Sequence, residues 1–188
     1  MNRGLLALAL GLAAPLAPAQ GCVMTVPMNL EALVDGAERI AVGECVSAEA
    51  RTVSLAGGEI AATRYTFTLE EGIRGATGET LSFEQFGAPG SLAGLPVFMP
   101  GERYLLLISA PGAPGGLTST VGLDQGAFRF VPDEETGGAR LLNGRGNTEL
   151  FSGLTPAAEA ITGRLRASTA PPADELLGAV RALAGRAQ

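Results

Sequence analysis

Hydrophobic and polar residues alternate most cleanly between residues 59 and 71. Tyr65, Phe67 and Leu69 fall on one side, and Arg64, Thr66, Thr68 and Glu70 on the other. Side chains of a strand point to opposite faces in turn, so this period of two predicts a strand with one buried and one wet face, as in an antiparallel sheet. Residues 38–51 read as a longer strand. Ile40, Val42, Glu44, Val46 and Ala48 share one side, and Ala41, Gly43, Cys45 and Ser47 the other. Gly43, in mid-strand, marks a bend or bulge. A third strand covers 79–86, with Leu81 and Phe83 alternating against Thr80 and Ser82. Within 103–109 the run Tyr104 to Ile108 is continuously apolar, which predicts a central strand buried on both faces. Residues 117–123 and 126–132 predict a hairpin around Asp124-Gln125-Gly126, with Phe128 and Phe130 inward and Arg129 outward, and 140–143 adds a short edge strand.

Helical spacing appears in three places. Asn29 is a good N-cap for a short helix whose Leu30, Leu33 and Val34 share a face. Thr155-Pro156 caps and opens a helix over 157–167, and Pro171-Pro172 breaks it. Asp174-Glu175 then starts an amphipathic helix with Leu176, Leu177, Val180 and Leu183 in one stripe. A short helix followed by five or six strands predicts a mainly β fold. The expected form is a small OB-like antiparallel barrel of five to six strands with C-terminal helices. A long first strand with a mid-strand glycine can serve both sides of such a barrel. The expected division is a barrel domain over 20–150 and a helical extension over 151–188. Residues 87–101 form a Gly/Pro-rich loop tied down by Leu92, Leu95, Val97 and Phe98. A loop of that length in a small domain is functional or mobile.

The N-terminus has a different pattern. Arg3 precedes an apolar run, Leu5 to Ala14, and Ala17-Pro18-Ala19 supplies a small-x-small cleavage site. These features predict a signal peptide over 1–19 and an exported protein, periplasmic or secreted. The apolar run is too short to span a bilayer, and no later run is longer, so no transmembrane segment is expected. Ala19-Gln20-Gly21 also satisfies the cleavage pattern, and a cut there makes Cys22 the first residue. Gly21-Cys22 equally admits a lipid anchor on Cys22, although Ala19 stands where lipoprotein signals carry Leu. Export favours a Cys22–Cys45 disulfide, which would close a loop of about 24 residues and contribute about 3 kcal/mol.

Composition narrows the chemistry. All 13 basic residues of the 188 are Arg, so Lys is absent along with His and Trp. His-based triads, His metal sites, Schiff-base lysines and Walker-type phosphate loops are excluded. The net charge of −6 argues against nucleic acid, whose binding needs a basic footprint. Adjacent Glu70 and Glu71 point to opposite faces of a strand, and Asp133-Glu134-Glu135 lacks the alternation of a calcium loop. The expectation is a protein without catalytic residues, cofactor or resident metal. A carboxylate-based hydrolase is the distant alternative.

One constellation is positional. A disulfide-anchored N-terminal cysteine presents its α-amine and carbonyl on one rigid residue, and the two can chelate a partner's catalytic zinc. The blocks Ala37-Glu38-Arg39-Ile40-Ala41-Val42-Gly43-Glu44-Cys45-Val46-Ser47, Arg64-Tyr65-Thr66-Phe67-Thr68-Leu69-Glu70-Glu71-Gly72-Ile73-Arg74-Gly75 and Gly101-Glu102-Arg103-Tyr104-Leu105-Leu106-Leu107-Ile108 resemble netrin-like OB-fold domains. The inhibitory domain of tissue inhibitors of metalloproteinases belongs to that family, and the blocks also resemble uncharacterised exported bacterial proteins. The resemblance covers about residues 22–132. It implies a five-stranded barrel and a partner that is a zinc metalloprotease, contacted through Cys22 and Val23. Met24 stands where the inhibitors carry the second cysteine of Cys-x-Cys, and Cys22 has only Cys45 to pair with. The functional expectation is therefore an exported protein-binding module with an N-terminal cysteine wedge. The alternative is a structural or envelope-associated interaction domain without inhibitory activity.

Overall fold

The computed structural model describes residues 25–55, 57–112 and 115–186, together with the backbone of Gly21 and Cys22. The predicted signal peptide, Val23 and the Cys22 side chain lie outside the described residues. Along the chain run β1 (Gly21–Cys22), α1 (Leu30–Asp35), β2 (Arg39–Leu55), β3 (Gly58–Arg74), β4 (Thr80–Phe86), β5 (Leu92–Ala93) and β6 (Arg103–Ile108). They are followed by β7 (Ala127–Pro132), β8 (Ala139–Asn143), α2 (Pro156–Thr162) and α3 (Ala173–Arg186). The fold is mainly β. Six strands form one antiparallel sheet in the order β4-β3-β2-β6-β7-β8, and β1 pairs in parallel with β5. The three sequence blocks of the resemblance form the adjacent strands β3, β2 and β6.

The sheet is not closed, so the predicted barrel is a loose one. Residues 117–120 span the gap between β6 and β4 with single bonds instead of a ladder. Ser109 N–H donates to the Ser119 carbonyl (3.0 Å), Thr120 bridges Ile108, and Thr118 N–H donates to the Glu84 carbonyl (2.8 Å). This arrangement replaces the hairpin expected between 117–123 and 126–132. β6 is buried on both faces, so both its edges need hydrogen-bond partners. β2 takes one edge. β7 takes the Tyr104–Leu106 part of the other, and Val121 and Ser119 serve Leu107 and Ser109. The segment around Asp124 becomes a 3-10 turn, Leu123–Gln125.

β2 bends where the sequence indicated. The register with β3 shifts at Val42/Gly43, and a β-carbon on Gly43 would lie 2.6 Å from the Thr68 carbonyl oxygen. The last of three shifts, between Cys45 and Ser47, sets Ala48 opposite Tyr65. Ala48 therefore packs on the side of Cys45, and Val46 stays exposed. This corrects the simple alternation, which placed Val46 and Ala48 with Ile40: the extra residue of a bulge inverts the facing of every residue beyond it.

Each face of the sheet carries its own core. Inside the barrel lie Ala41, Cys45, Tyr65, Phe67, Leu81, Phe83, Phe98, Tyr104, Leu106 and Ile108. On the other face Ile40, Val42, Leu105, Leu107, Phe128 and Leu141 pack against α1 and α3. The Asn29 side chain caps α1 by accepting from Ala32 N–H (2.9 Å). Thr155 caps α2, which ends at Thr162, earlier than the spacing predicted. Glu31 joins the two helices by accepting from the Thr155 N–H (2.9 Å) and hydroxyl (2.7 Å). The Arg74 guanidinium donates to carbonyls of Val34 and Ala184 near the C-terminal ends of α1 and α3, groups left without intrahelical partners there.

Candidate functional site

The site begins with the loop that the sequence marked out. Burial alternates along 96–99, with Pro96 and Phe98 inward and Val97 and Met99 outward. Phe98 is buried inside the barrel, and its ring meets Tyr65 (4.9 Å between centroids), Tyr104 (5.1 Å) and Phe67 (5.3 Å) edge-on. Such edge-to-face contacts favour one orientation of the plug. Its neighbours Val97 and Met99 are 39% and 54% exposed. Hydrogen bonds hold this ledge at both ends. Gln85 Nε2 donates to the Pro96 carbonyl (2.9 Å), and Tyr104 Oη accepts from Met99 N–H (3.1 Å) while donating to Glu102 (2.8 Å). Burial first, and then the Glu102 carboxylate, push the Tyr104 hydroxyl well above its usual range, so it remains a donor.

Between this ledge and the turn 142–146 lies a groove of about 380 Å³. Tyr104 and Ala127 line it, with Glu102, Arg129 and Asp124 as its charged groups. Arg129 donates to Glu102 (3.2 Å). Asp124 is packed under Gly144, where a β-carbon would come within 2.7 Å of it. Its Oδ1 has no hydrogen-bond donor, although Arg145 Nε lies 3.5 Å away. Burial therefore raises the Asp124 carboxyl above the ordinary range, and Arg145 opposes the shift only in part.

The chain's N-terminal lead-in reaches the same end of the barrel. The backbones of Gly21 and Cys22 pair with Leu92 and Ala93, just before the ledge. Gln125, next to Asp124, then accepts from Met28 N–H (2.8 Å) and donates to Thr25 Oγ1 and the Val26 carbonyl (3.0 Å each). Arg145 donates to Thr25 Oγ1 (2.9 Å). Val26, fixed in this way, is 81% exposed.

Of the residues marked in the sequence, Cys22 is placed by its backbone alone and Val23 lies outside the described residues. Cys45 is fully buried, and its thiol donates to the Ser47 carbonyl (3.6 Å). Burial, the main cause, pushes that thiol up to about 11, so it has little thiolate character at neutral pH. Glu70 and Glu71 are set apart, the first bonded to Arg103 and the second to Arg181. Asp133 accepts from Thr136 and pairs with Arg140 in the β7–β8 turn. Among the described residues no three acidic or cysteine side chains gather in a way that would hold a metal ion. Sequence reasoning reached the ledge through the Gly/Pro-rich loop. It missed Asp124 and Glu102, because a carboxylate in a turn carries no pattern of its own. No protein-family model matches the chain, and no curated protein matches it.

Proposed function

We propose that this protein is an exported, non-enzymatic module that binds a protein partner through the barrel end formed by β1, the 96–99 ledge and the 142–146 turn. The observation that carries this reading is the pair Val97 and Met99. The barrel buries Pro96 and Phe98 from this segment, yet Val97 and Met99 are apolar, exposed and held by flanking hydrogen bonds on the rim of a groove. A rigid apolar ledge beside a groove with polar groups is the composition of a protein-contact surface, because it loses little side-chain freedom on docking.

The resemblance to netrin-like domains supplies the class of partner, a zinc metalloprotease. In that form of the reading the wedge is Cys22, with Val23 following it into the partner's cleft. After cleavage behind Gly21, the Cys22 amine and carbonyl would occupy two positions on the partner's zinc, displacing the water that attacks substrate. The Cys22–Cys45 bridge remains part of the proposal, as the fixture for the wedge; forming it would take the Cys45 sulfur out of its hydrogen bond to Ser47.

The test uses the mature protein and a panel of secreted zinc metalloproteases of thermolysin-like and metzincin-like types. Inhibition is expected, with loss of at least tenfold in affinity for Met99→Asp and for a one-residue N-terminal extension. A mature N-terminus at Gln20, or an acyl chain on Cys22, overturns the wedge. Full inhibition by the Val97→Asp/Met99→Asp double variant overturns the docking surface.

A further inference from the structure

A second surface lies along the outer edge of the distal half of β2. β2 pairs with β6 only over Arg39–Glu44, and Cys45 completes that edge by bonding to Gly101 and Glu102. From Val46 onward β2 continues as one strand of a two-stranded arm, paired with β3 alone up to Leu55 and Gly58. Among the described residues no backbone group hydrogen-bonds to the outer edge of β2 between Val46 and Ser54. Residues Glu49 to Thr52 are exposed. An open strand edge of this length presents a row of unpaired N–H and C=O groups, and proteins normally block such edges. Here no proline, no lysine and no further bulge blocks it.

We infer that this edge pairs with the same edge of a second copy, antiparallel, about a two-fold axis through Ala50. Charge selects both the occupant and the register. A two-fold antiparallel pairing sets residue i opposite residue j with a constant sum. An axis through Ala50 sets Glu49 opposite Arg51 of the other copy, twice, and Ala48 opposite Thr52. Moving the axis one residue to Glu49 places Glu49 against itself. Moving it to Arg51 places Arg51 against itself. Like charges directly opposite destabilise a strand pair and opposite charges stabilise it, so only one of these neighbouring registers is favoured. Within one chain Glu49 and Arg51 already touch (2.6 Å), so both side chains lie on the same face, as the cross-pairs require. Ala48 and Ala50 put no bulk near the axis. The interface is isologous, so it closes at two copies.

Sedimentation velocity over a concentration series reads this directly. Wild type is expected to show concentration-dependent dimer. Arg51→Glu, with four glutamates around the axis, and Glu49→Arg, with four arginines, should each be monomeric, with thermal midpoints matching wild type at dilutions where wild type is monomeric. Mixed one to one, the two variants should form a heterodimer at least tenfold more readily than either self-associates, because each mixed pair restores opposite charges. The doubly exchanged variant Glu49→Arg/Arg51→Glu should dimerise like wild type. Wild type that stays monomeric up to about 1 mM overturns the inference. So does a mixture that stays monomeric, or dimerisation that survives Ala50→Pro. Self-association absent while an added extended peptide protects the 47–53 amides from exchange would assign the edge to a foreign strand and equally overturn it.

Discussion

The two faces of the same sheet are packed by different means. Inside the barrel the core is aromatic: Tyr65, Phe67, Phe83, Phe98 and Tyr104 interlock edge-to-face, with a single parallel stack between Phe67 and Phe83. On the helical face it is mainly aliphatic, built from leucines and alanines of α1 and α3 over Ile40, Val42, Leu105 and Leu107, with Phe128 and Phe151 as its buried rings. Both cores take apolar side chains from loops: Phe98 closes the barrel, and Val121, Leu150, Phe151, Leu154 and Leu165 fill the helical side. Only the barrel core draws on the 96–99 ledge. The barrel interior is closed by Phe98, and whatever moves Phe98 also moves Val97 and Met99. Phe98 thus couples stability to the ledge directly, whereas the loop residues of the helical core lie outside the 96–99 segment.

The largest effect that would break this comparison comes from Phe98→Ala. Loss of a buried ring of this size costs about 3–5 kcal/mol, measurable by urea unfolding. The same variant should lose protection of the 96–99 amides in hydrogen exchange. On the helical face Leu176→Ala should cost about 2–5 kcal/mol and leave exchange at 96–99 unchanged. If Leu176→Ala loosens the ledge as much as Phe98→Ala does, the two cores are not independent.

Gly43→Ala probes the strand that both cores share. The new methyl would meet the Thr68 carbonyl, which is backbone and cannot rotate away, so a loss of about 1–3 kcal/mol is expected in thermal or chemical unfolding. The smallest effect concerns Asp124. Its carboxyl is raised in the folded protein above 3.8, so it favours folding fully only below that value. The contribution is lost as pH rises through the folded value. At neutral pH Asp124→Asn should therefore stabilise, by less than about 1 kcal/mol because Arg145 offsets part of the penalty. The gain should vanish near pH 3 in a series of thermal melts. Stabilisation that grows on acidification would contradict the assignment.

Much of this architecture could be read from local patterns. The alternation in β3, the continuous apolar run of β6, the caps Asn29 and Thr155 and the stripe on α3 each reflect a constraint within a few residues. What escaped was non-local. The facing of Val46 and Ala48 depends on a bulge that exists only once β3 is paired. The true partner of β7 depends on the two-edged demand of β6, which no window around Asp124 contains. The ledge was partly visible, because apolar residues in a Gly/Pro-rich loop need an explanation. Which of them points inward was not, since Val97, Phe98 and Met99 look alike until the barrel gives Phe98 a socket. Asp124 and Glu102 come to line one groove only through the β6–β7 pairing and the 3-10 turn that precedes it.

Hydrogen exchange of the mature protein, with and without a secreted zinc metalloprotease that it inhibits, tests the docking surface most directly. Slower exchange is predicted at 92–99 and 142–146, with the amides of α3 unaffected. Protection on α3 instead, with none at the 96–99 ledge, would contradict the account.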